Sequence, residues 1–384
     1  MKELGKISDF CEVIAGQSPD GKAYNTDGKG IEFHQGKKAF GIKILEESGV
    51  WTTTVTKLAE AGDILMSVRA PVGPTNITNR KVCIGRGLAA IRCGENILPS
   101  FVLYALKNIE KKIIGNDGAV FNSINKKMIE NIPIPIANID EQRRIVSYLD
   151  SSFKLIDEIK NKALKSLTEA KALFQSALAE AMEPKEGWEE KTLGEIAKDS
   201  ADGPFGSNLK KEHYTSKREV RIIQLSNIGE NGWREENTKY TTYKHLNTIS
   251  RSEVHPGDIV IAKMMPAGRA ILCPEKEKKY VLSSDAVKIV LKKGYYNRYF
   301  LYSINSDYFR IQVYENVSGS GRVRTSLTKL RNCIVRIPPL PTQKRIVTHL
   351  DKLSSKLRAI EEKYQKMVAE CDALKQAMLR DVFE

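Results

Sequence analysis

No run of 18 apolar residues occurs in this chain, and its opening stretch, MKELGKISDF, holds nothing suited to a secretory leader. No membrane span is expected, and the setting is read as cytoplasmic. The six cysteines (Cys11, Cys83, Cys93, Cys273, Cys333, Cys371) form no CxxC pair. The five histidines (His34, His213, His245, His255, His349) are not spaced near them as zinc ligands would be. No metal site is expected, and scattered thiols suit a reducing compartment as small buried hydrophobes. Also missing are a Walker sequence ending in Gly-Lys-Ser/Thr and a glycine-rich cofactor loop leading into a helix. Ile337-Pro338-Pro339-Leu340 lacks the polar residue with which a DNA methyltransferase holds its target amino group, and Gly203-Pro204-Phe205-Gly206 is not followed by a nucleotide-binding helix. Asp20 near Lys22, and Asp258 near Lys263, mimic nuclease acid/lysine pairs, but chance supplies such spacings in a chain rich in both. No catalytic residue and no cofactor are assigned.

Positive charge is what the chain has in excess. With 61 Lys+Arg against 47 Asp+Glu its formal net charge is +14. Residues 1–139 hold 18 basic against 14 acidic residues, and residues 184–340 hold 27 against 18. The intervening 140–183 (7 against 8) and the closing 341–384 (9 against 7) are nearly neutral. A polyanion is therefore drawn to the first and third segments.

The chain is written twice. Glu130 to Asp150, ENIPIPIANIDEQRRIVSYLD, aligns without a gap on Arg331 to Asp351, RNCIVRIPPLPTQKRIVTHLD. The two share Asn131/Asn332, Gln142/Gln343, Arg144/Arg345, Ile145/Ile346, Val146/Val347, Leu149/Leu350 and Asp150/Asp351. Upstream, Leu4-Gly5-Lys6-Ile7 is matched to Leu193-Gly194-Glu195-Ile196, and Ala61-Gly62-Asp63-Ile64-Leu65 to Pro256-Gly257-Asp258-Ile259-Val260. The drifting offset marks two heads that diverged by insertion and two tails that did not.

Both tails read as long helices. No Gly or Pro falls between Asp140 and Met182, Pro184 and Gly187 follow, and Asn138 with Glu141 has capping-box spacing. Apolar or small residues recur at Val146, Leu149, Phe153, Ile156, Ala163, Leu167, Ala170, Phe174, Ala177 and Ala181, a heptad rhythm broken at Lys160. The second tail repeats it with Ile346, Leu350, Leu353, Leu357, Ile360, Tyr364, Met367, Cys371, Leu374 and Met378. Each helix, about 60 Å long at ~1.5 Å per residue, needs a partner for its stripe, and antiparallel pairing of the two supplies one. The heads read as mixed α/β, with strands near Asp63–Val68, Leu88–Arg92, Asp258–Ala262 and Ala286–Leu291, and helices near Leu98–Lys112 and Asn297–Asp307. The Gly62-Asp63 and Gly257-Asp258 pairs are turn chemistry. The fold class is therefore α+β: two mixed α/β heads (1–139 and 184–340) joined by two long antiparallel coiled-coil helices (140–183 and 341–384) in a pseudo-twofold internal repeat.

What remains in the heads is binding equipment. Candidate contacts in the first are Gln17, Ser18, Tyr24, Gln35, Arg69 and Arg86; in the second, Ser207, Asn208, Lys210, Lys211, Arg221, Gln224, Lys263, Arg269, Arg322 and Arg324. Arginine pairs with guanine edges, amides with adenine, and lysine with phosphate.

In this order, and twice, the motifs resemble the specificity subunit of type I restriction–modification enzymes. In the first head they are Gly16-Gln17-Ser18-Pro19, the run Gly62 to Gly73 (GDILMSVRAPVG) and Ile84 to Arg92 (IGRGLAAIR). In the second they are Asp202 to Leu209 (DGPFGSNL), Pro256-Gly257-Asp258-Ile259-Val260 and Ser284-Asp285-Ala286-Val287, and each head ends in the Gln-Lys/Arg-Arg-Ile-Val helix start. The resemblance implies two target-recognition domains on double-stranded DNA, each reading half of a bipartite target, with the helix pair setting the gap. It further implies two docked methyltransferase subunits and restriction subunits, with S-adenosylmethionine, ATP and Mg held by those partners. The first head lacks the Gly-Pro-Phe-Gly-Ser segment, so unlike half-sites are expected.

Two other readings stay open on the residues alone. A partner-organising coiled-coil protein with heads for RNA or acidic proteins would show no DNA sequence preference. A nuclease would turn over DNA as the isolated chain with a divalent metal.

Overall fold

The computed structural model describes residues 3–113, 123–230, 232–264, 266–315 and 324–384. Two compact units emerge, one comprising Met1–Leu164 with Gln365–Glu384 and the other Lys165–Tyr364. The division falls within the long helices, Ile139–Ala181 and Leu340–Phe383, so each head's core includes one end of each.

In the first unit a four-stranded antiparallel sheet, ordered Cys11–Ala15, Leu88–Cys93, Ile64–Ser67, Thr75–Ile77, is backed by the helix Pro99–Ile113. The two central strands, Ile64–Ser67 and Leu88–Cys93, are nearly continuous apolar runs because both faces are covered. One face joins a core containing Phe101, Leu149, Leu379 and Phe383, where Phe101 and Phe383 meet edge to face at 5.4 Å. The other packs Leu65, Leu88 and Ala90 against Val82 and Ile84 of a five-stranded mixed sheet. In that second sheet Ile31–His34 runs parallel to Val82–Ile84, with Phe33 opposite Cys83 and His34 opposite Ile84.

The second unit repeats the plan with larger insertions. Its four-stranded sheet is ordered Ala197–Asp202, Ala286–Leu291, Ile259–Ala262, Ala270–Leu272. The helix Asn297–Asn305 backs it in a core shared with Leu178, Met182, Val347 and Leu350. A five-stranded sheet again stands beside it, with Val220–Ile223 parallel to Tyr280–Leu282.

Hydrogen bonds correct one sequence match. Lys6 N–H donates to Asp9 Oδ2 and Thr192 N–H to Glu195 Oε2, both at 2.7 Å. Ile7 N–H donates to Ile132 O (3.0 Å), as Leu193 N–H does to Cys333 O (2.8 Å). Lys6-Ile7-Ser8-Asp9 is thus the counterpart of Thr192-Leu193-Gly194-Glu195. Pairing Leu4-Gly5-Lys6-Ile7 with Leu193-Gly194-Glu195-Ile196 is three residues out of register, because Leu4–Lys6 is a strand and Leu193–Ile196 a helix.

The Gly-Asp turns are the same device twice. Gly62 and Gly257 have φ of +95° and +89°, where a side chain is strained. The following carboxylates accept from backbone: Asp63 from Glu60 N–H and Asp258 from His255 N–H, each at 2.8 Å. Asp63 also receives Arg92 at 3.1 and 2.8 Å.

The long helices run antiparallel in each unit. In the first, Lys375 meets Asp157 at 2.5 Å and Lys160 meets Asp372 at 2.6 Å; in the second, Lys171 meets Glu361 at 3.2 Å. Lys160 breaks the apolar rhythm to make its ion pair. Of the packing residues named from sequence, Leu149, Ile156, Leu350 and Leu357 are buried, while Val146, Phe153, Leu167, Phe174, Ile346, Leu353, Ile360, Tyr364 and Met367 are half-buried. Leu374 is a correction, being 50% exposed. Lys375 takes the inward place beside it, its ammonium 5.1 Å over the Phe153 ring as well as on Asp157. Leu178, Met182, Leu379 and Phe383 complete the buried stripe. No described helix is long and apolar enough to cross a membrane.

Candidate nucleic-acid interface

Four of the six first-head candidates come together from separate loops. Ser18, Tyr24, Gln35 and Arg86 line a single cleft of about 780 Å³. The sheet topology does this: the parallel pairing of Ile31–His34 with Val82–Ile84 sets Gln35 and Arg86 just past two adjacent strand ends. Ser18 Oγ donates to Gln35 Oε1 at 3.0 Å and accepts the Arg86 N–H at 3.2 Å. Tyr24 stacks on Phe33 with ring centroids 4.8 Å apart. Gln17 is exposed beside Ser18, its N–H held by Ile84 O at 3.0 Å. Arg69 is exposed on the isolated bridge to Ser123. The result is an open recess offering amide, hydroxyl, guanidinium and aromatic faces together, the group types that read base edges.

A buried ionic cluster stiffens the cleft floor. Arg80 reaches Glu32 through Nε to Oε2 (2.7 Å) and Nη2 to Oε1 (3.0 Å), and Ser48 N–H donates to the same carboxylate at 2.7 Å. Burial alone would push the Glu32 carboxyl up, but these donors outweigh it and its pKa lies below the usual value. His34 Nε2 is 3.0 Å from Glu32 Oε1. Burial lowers the His34 pKa despite that carboxylate, so the ring is neutral, with its proton assigned to Nε2 by the Glu32 contact. Neither Glu32 nor His34 was among the sequence candidates.

In the second head Asn208, Lys263 and Arg324 line a cleft of about 910 Å³ with Phe205, Arg251 and Asp285. Ser207 Oγ donates to Asn208 Oδ1 at 3.3 Å, and Lys210 and Lys211 lie exposed just beyond. Arg324 is 54% exposed and 3.3 Å from Asp285. Arg322 lies outside the described residues.

Four candidates here are corrected toward structural duty. Arg221 is 1% exposed on the strand Val220–Ile223. Its guanidinium donates to the carbonyls of Glu236, Asn237 and Lys239 at 3.3–3.4 Å and sits 5.7 Å from the Trp233 and Tyr240 rings. Arg269 keeps only 12% exposure and pairs with Glu230 at 3.6 Å, beside the 2.9 Å Arg310–Glu230 contact. Lys263 is 7% exposed and gives its ammonium to Asp202 at 2.7 Å, so it shapes the cleft wall rather than offering free charge. Gln224 starts a tight turn, its N–H held by Asn227 Oδ1 at 2.9 Å, and does not line the cleft. Each lies on or next to a sheet strand; packing engages the charged groups of Arg221, Lys263 and Arg269, while Gln224 Oε1 is buried without a partner. Among the described residues no three His, Cys, Asp or Glu gather as metal ligands do.

A duplicated α+β scaffold with two unlike polar clefts is the class these features define. The chain belongs to the type I restriction modification DNA specificity domain family, whose profile matches it twice, over residues 2–169 and 185–368. It is 42% identical over 179 residues to the putative type I restriction enzyme MjaX specificity subunit of Methanocaldococcus jannaschii, covering 46% of this chain and 41% of that protein. It is 23% identical over 270 residues to the type I restriction enzyme MjaVIII specificity subunit of the same organism, covering 66% and 63%. These alignments span less than two-thirds of either relative. The fold is shared with a chain solved to explain complex assembly and conformational transition of the type I R-M system, at a TM-score of 0.77 and 17% identity over 100% of this chain and 97% of that one.

Proposed function

We propose that this chain is the non-catalytic DNA-specificity subunit of a type I restriction–modification system. Each head reads one half of a bipartite target in double-stranded DNA, and the helix pair sets the unread gap. The observation that carries this reading is the convergence of Ser18, Tyr24, Gln35 and Arg86 on one cleft of a basic head, while the second head offers a different set in its own. Unlike clefts suit unlike half-sites. Methyltransferase subunits dock on the helices, where Tyr148, Leu155 and Ile159 share one face and remain 50%, 59% and 42% exposed. Methyl transfer to adenine and ATP-driven restriction belong to those partners, which hold S-adenosylmethionine, ATP and Mg. Footprinting of the assembly on its target tests this reading. Two short protected blocks separated by an indifferent gap are expected; one continuous block, or DNA cleavage by the chain alone, contradicts it.

A further inference from the structure

The two heads present different side chains from the same backbone positions, and hydrogen bonds fix the correspondence. Gly16 N–H donates to Leu88 O, and Gly203 N–H to Ala286 O, both at 2.9 Å. Val68 N–H donates to Gly87 O (3.0 Å) and Lys263 N–H to Asp285 O (2.8 Å). Ile124 N–H reaches Val68 O (3.0 Å), as Thr325 N–H reaches Lys263 O (2.9 Å). A Cβ on Gly16 would lie 2.2 Å from Gly85 O, and one on Gly203 would lie 1.7 Å from Ser283 O. Both loops therefore leave the sheet through one narrow gap that admits only glycine.

Two residues past that gap stand Ser18 in the first head and Phe205 in the second. Ser18 is tied into the polar cleft by Gln35 and Arg86. Phe205 is 82% exposed, the highest value among the described large apolar side chains. Its backbone is restrained by Pro204 before it and by its carbonyl, which accepts the Asn208 N–H at 2.7 Å. Its cleft also carries Arg251 and Arg324, and Lys210 and Lys211 follow in the chain. An aromatic ring exposed to water beside cations matches the face of a nucleic-acid base, with phosphates held alongside.

We propose that Phe205 is an apolar wedge that stacks at one base step of the half-site met by the second head, at the position where the first head uses a hydrogen-bonding serine. The proposal rests on the reading that the second head contacts DNA. It makes the difference between the heads one of mode: hydrogen bonding in one, stacking and local unstacking in the other.

The test uses the full chain in the assembly it purifies with, after random-oligonucleotide selection has defined the target. Duplexes carry 2-aminopurine at successive positions of each half-site. Fluorescence is expected to rise on binding at one step of the second half-site. Phe205→Ala should abolish that rise and weaken binding about tenfold, whereas Phe205→Trp keeps both. An exposed residue is unneeded for folding, and an unchanged circular dichroism spectrum verifies that. The wedge is overturned if Phe205→Ala binds and brightens as the parent does. It is equally overturned if that variant loses protein partners while intact assemblies bind DNA normally, which makes Phe205 a protein-interface residue. A parent assembly without sequence preference sinks the DNA reading itself, and the wedge with it.

Discussion

Gln142 and Gln343 occupy equivalent places in the first turns of the two long helices, and each ties its helix to its own head from inside the core. Gln142 Oε1 accepts the Leu98 N–H at 2.8 Å, while Nε2 donates to the carbonyls of Ala137 (2.8 Å) and Asn96 (3.1 Å). Gln343 Oε1 accepts the Tyr296 N–H at 3.1 Å and Nε2 donates to Pro338 O at 2.8 Å. Both side chains are 2% exposed. The Gln-Lys/Arg-Arg-Ile-Val signature is thus a joint: it fixes the angle at which helix leaves head.

Gln343→Leu leaves the Tyr296 N–H and the Pro338 carbonyl buried without partners. A stability loss of about 1–3 kcal/mol is expected for such groups. Urea unfolding monitored through hydrogen exchange of the helix Asn297–Asn305 measures it. A variant as stable as the parent would remove the joint from the account.

Acidification should loosen the first head. His34 and Glu32 both have pKa values below their ordinary 6.5 and 4.5. Each therefore binds protons more readily in the unfolded chain, and stability rises with pH. The His34 share is complete above pH 6.5 and drains away as pH falls through its lowered value. The Glu32 share is complete above 4.5 and goes as pH falls further. Protection factors of the amides along Ile31–His34, which are referred to the intrinsic exchange rate at each pH, should fall between pH 7.5 and 5.5, and His34→Gln should flatten that change. A parent profile flat across the interval would count against the buried, neutral imidazole.

Two arginines separate reading from folding. Arg86 is exposed on the first cleft, and Arg86→Ala should leave stability intact while relaxing one position of the first half-site by roughly 1–3 kcal/mol. Arg221→Met should instead destabilise the second unit by about 2–4 kcal/mol, since the enclosed guanidinium's bonds to Glu236, Asn237 and Lys239 are lost; Glu236 O keeps the Asn227 side chain and Lys239 O keeps the Ile222 N–H, but Asn237 O loses its donor. Its folded fraction should keep the parent's target preference. Competition binding against single-base variants of the target distinguishes the two, and a specificity change in Arg221→Met would return that residue to the DNA surface.

Why Arg221 looked like Arg86 in the sequence is instructive. Both are cations near Gly- and polar-rich stretches, and only strand pairing decides which one is enclosed. Periodicity found the long helices because a stripe repeats over forty residues. It misplaced Leu374 because Lys375 spans the interface with a long aliphatic stem, which a hydrophobicity pattern scores as a gap. Matching Leu-Gly letters set the Leu4 and Leu193 segments out of register. The carboxylate three residues into each short helix, Asp9 and Glu195, was the physical signal that aligns them. The first cleft was legible only as a set of polar residue types. Its assembly depends on a parallel strand pair between Ile31–His34 and Val82–Ile84, and nothing local announces that pairing.

The proposed spacer role makes the sharpest demand on the structure. In the second unit Lys171 faces Glu361, so an antiparallel register places residues 168–174 against 358–364. Removing both stretches together takes seven residues from each helix and preserves every facing pair beyond the cut. The rod then shortens by ~10 Å at 1.5 Å per residue. At 3.4 Å per base pair that is at most about three base pairs of unread gap. Assemblies carrying the matched deletion should therefore modify a target with the same two half-sites and a gap two or three base pairs shorter, whereas either single deletion, which throws the stripes out of register, should give little folded protein. Methylome sequencing of cells carrying the matched deletion decides the matter. An unchanged gap would mean that the heads are positioned by their partners and that the helices measure nothing.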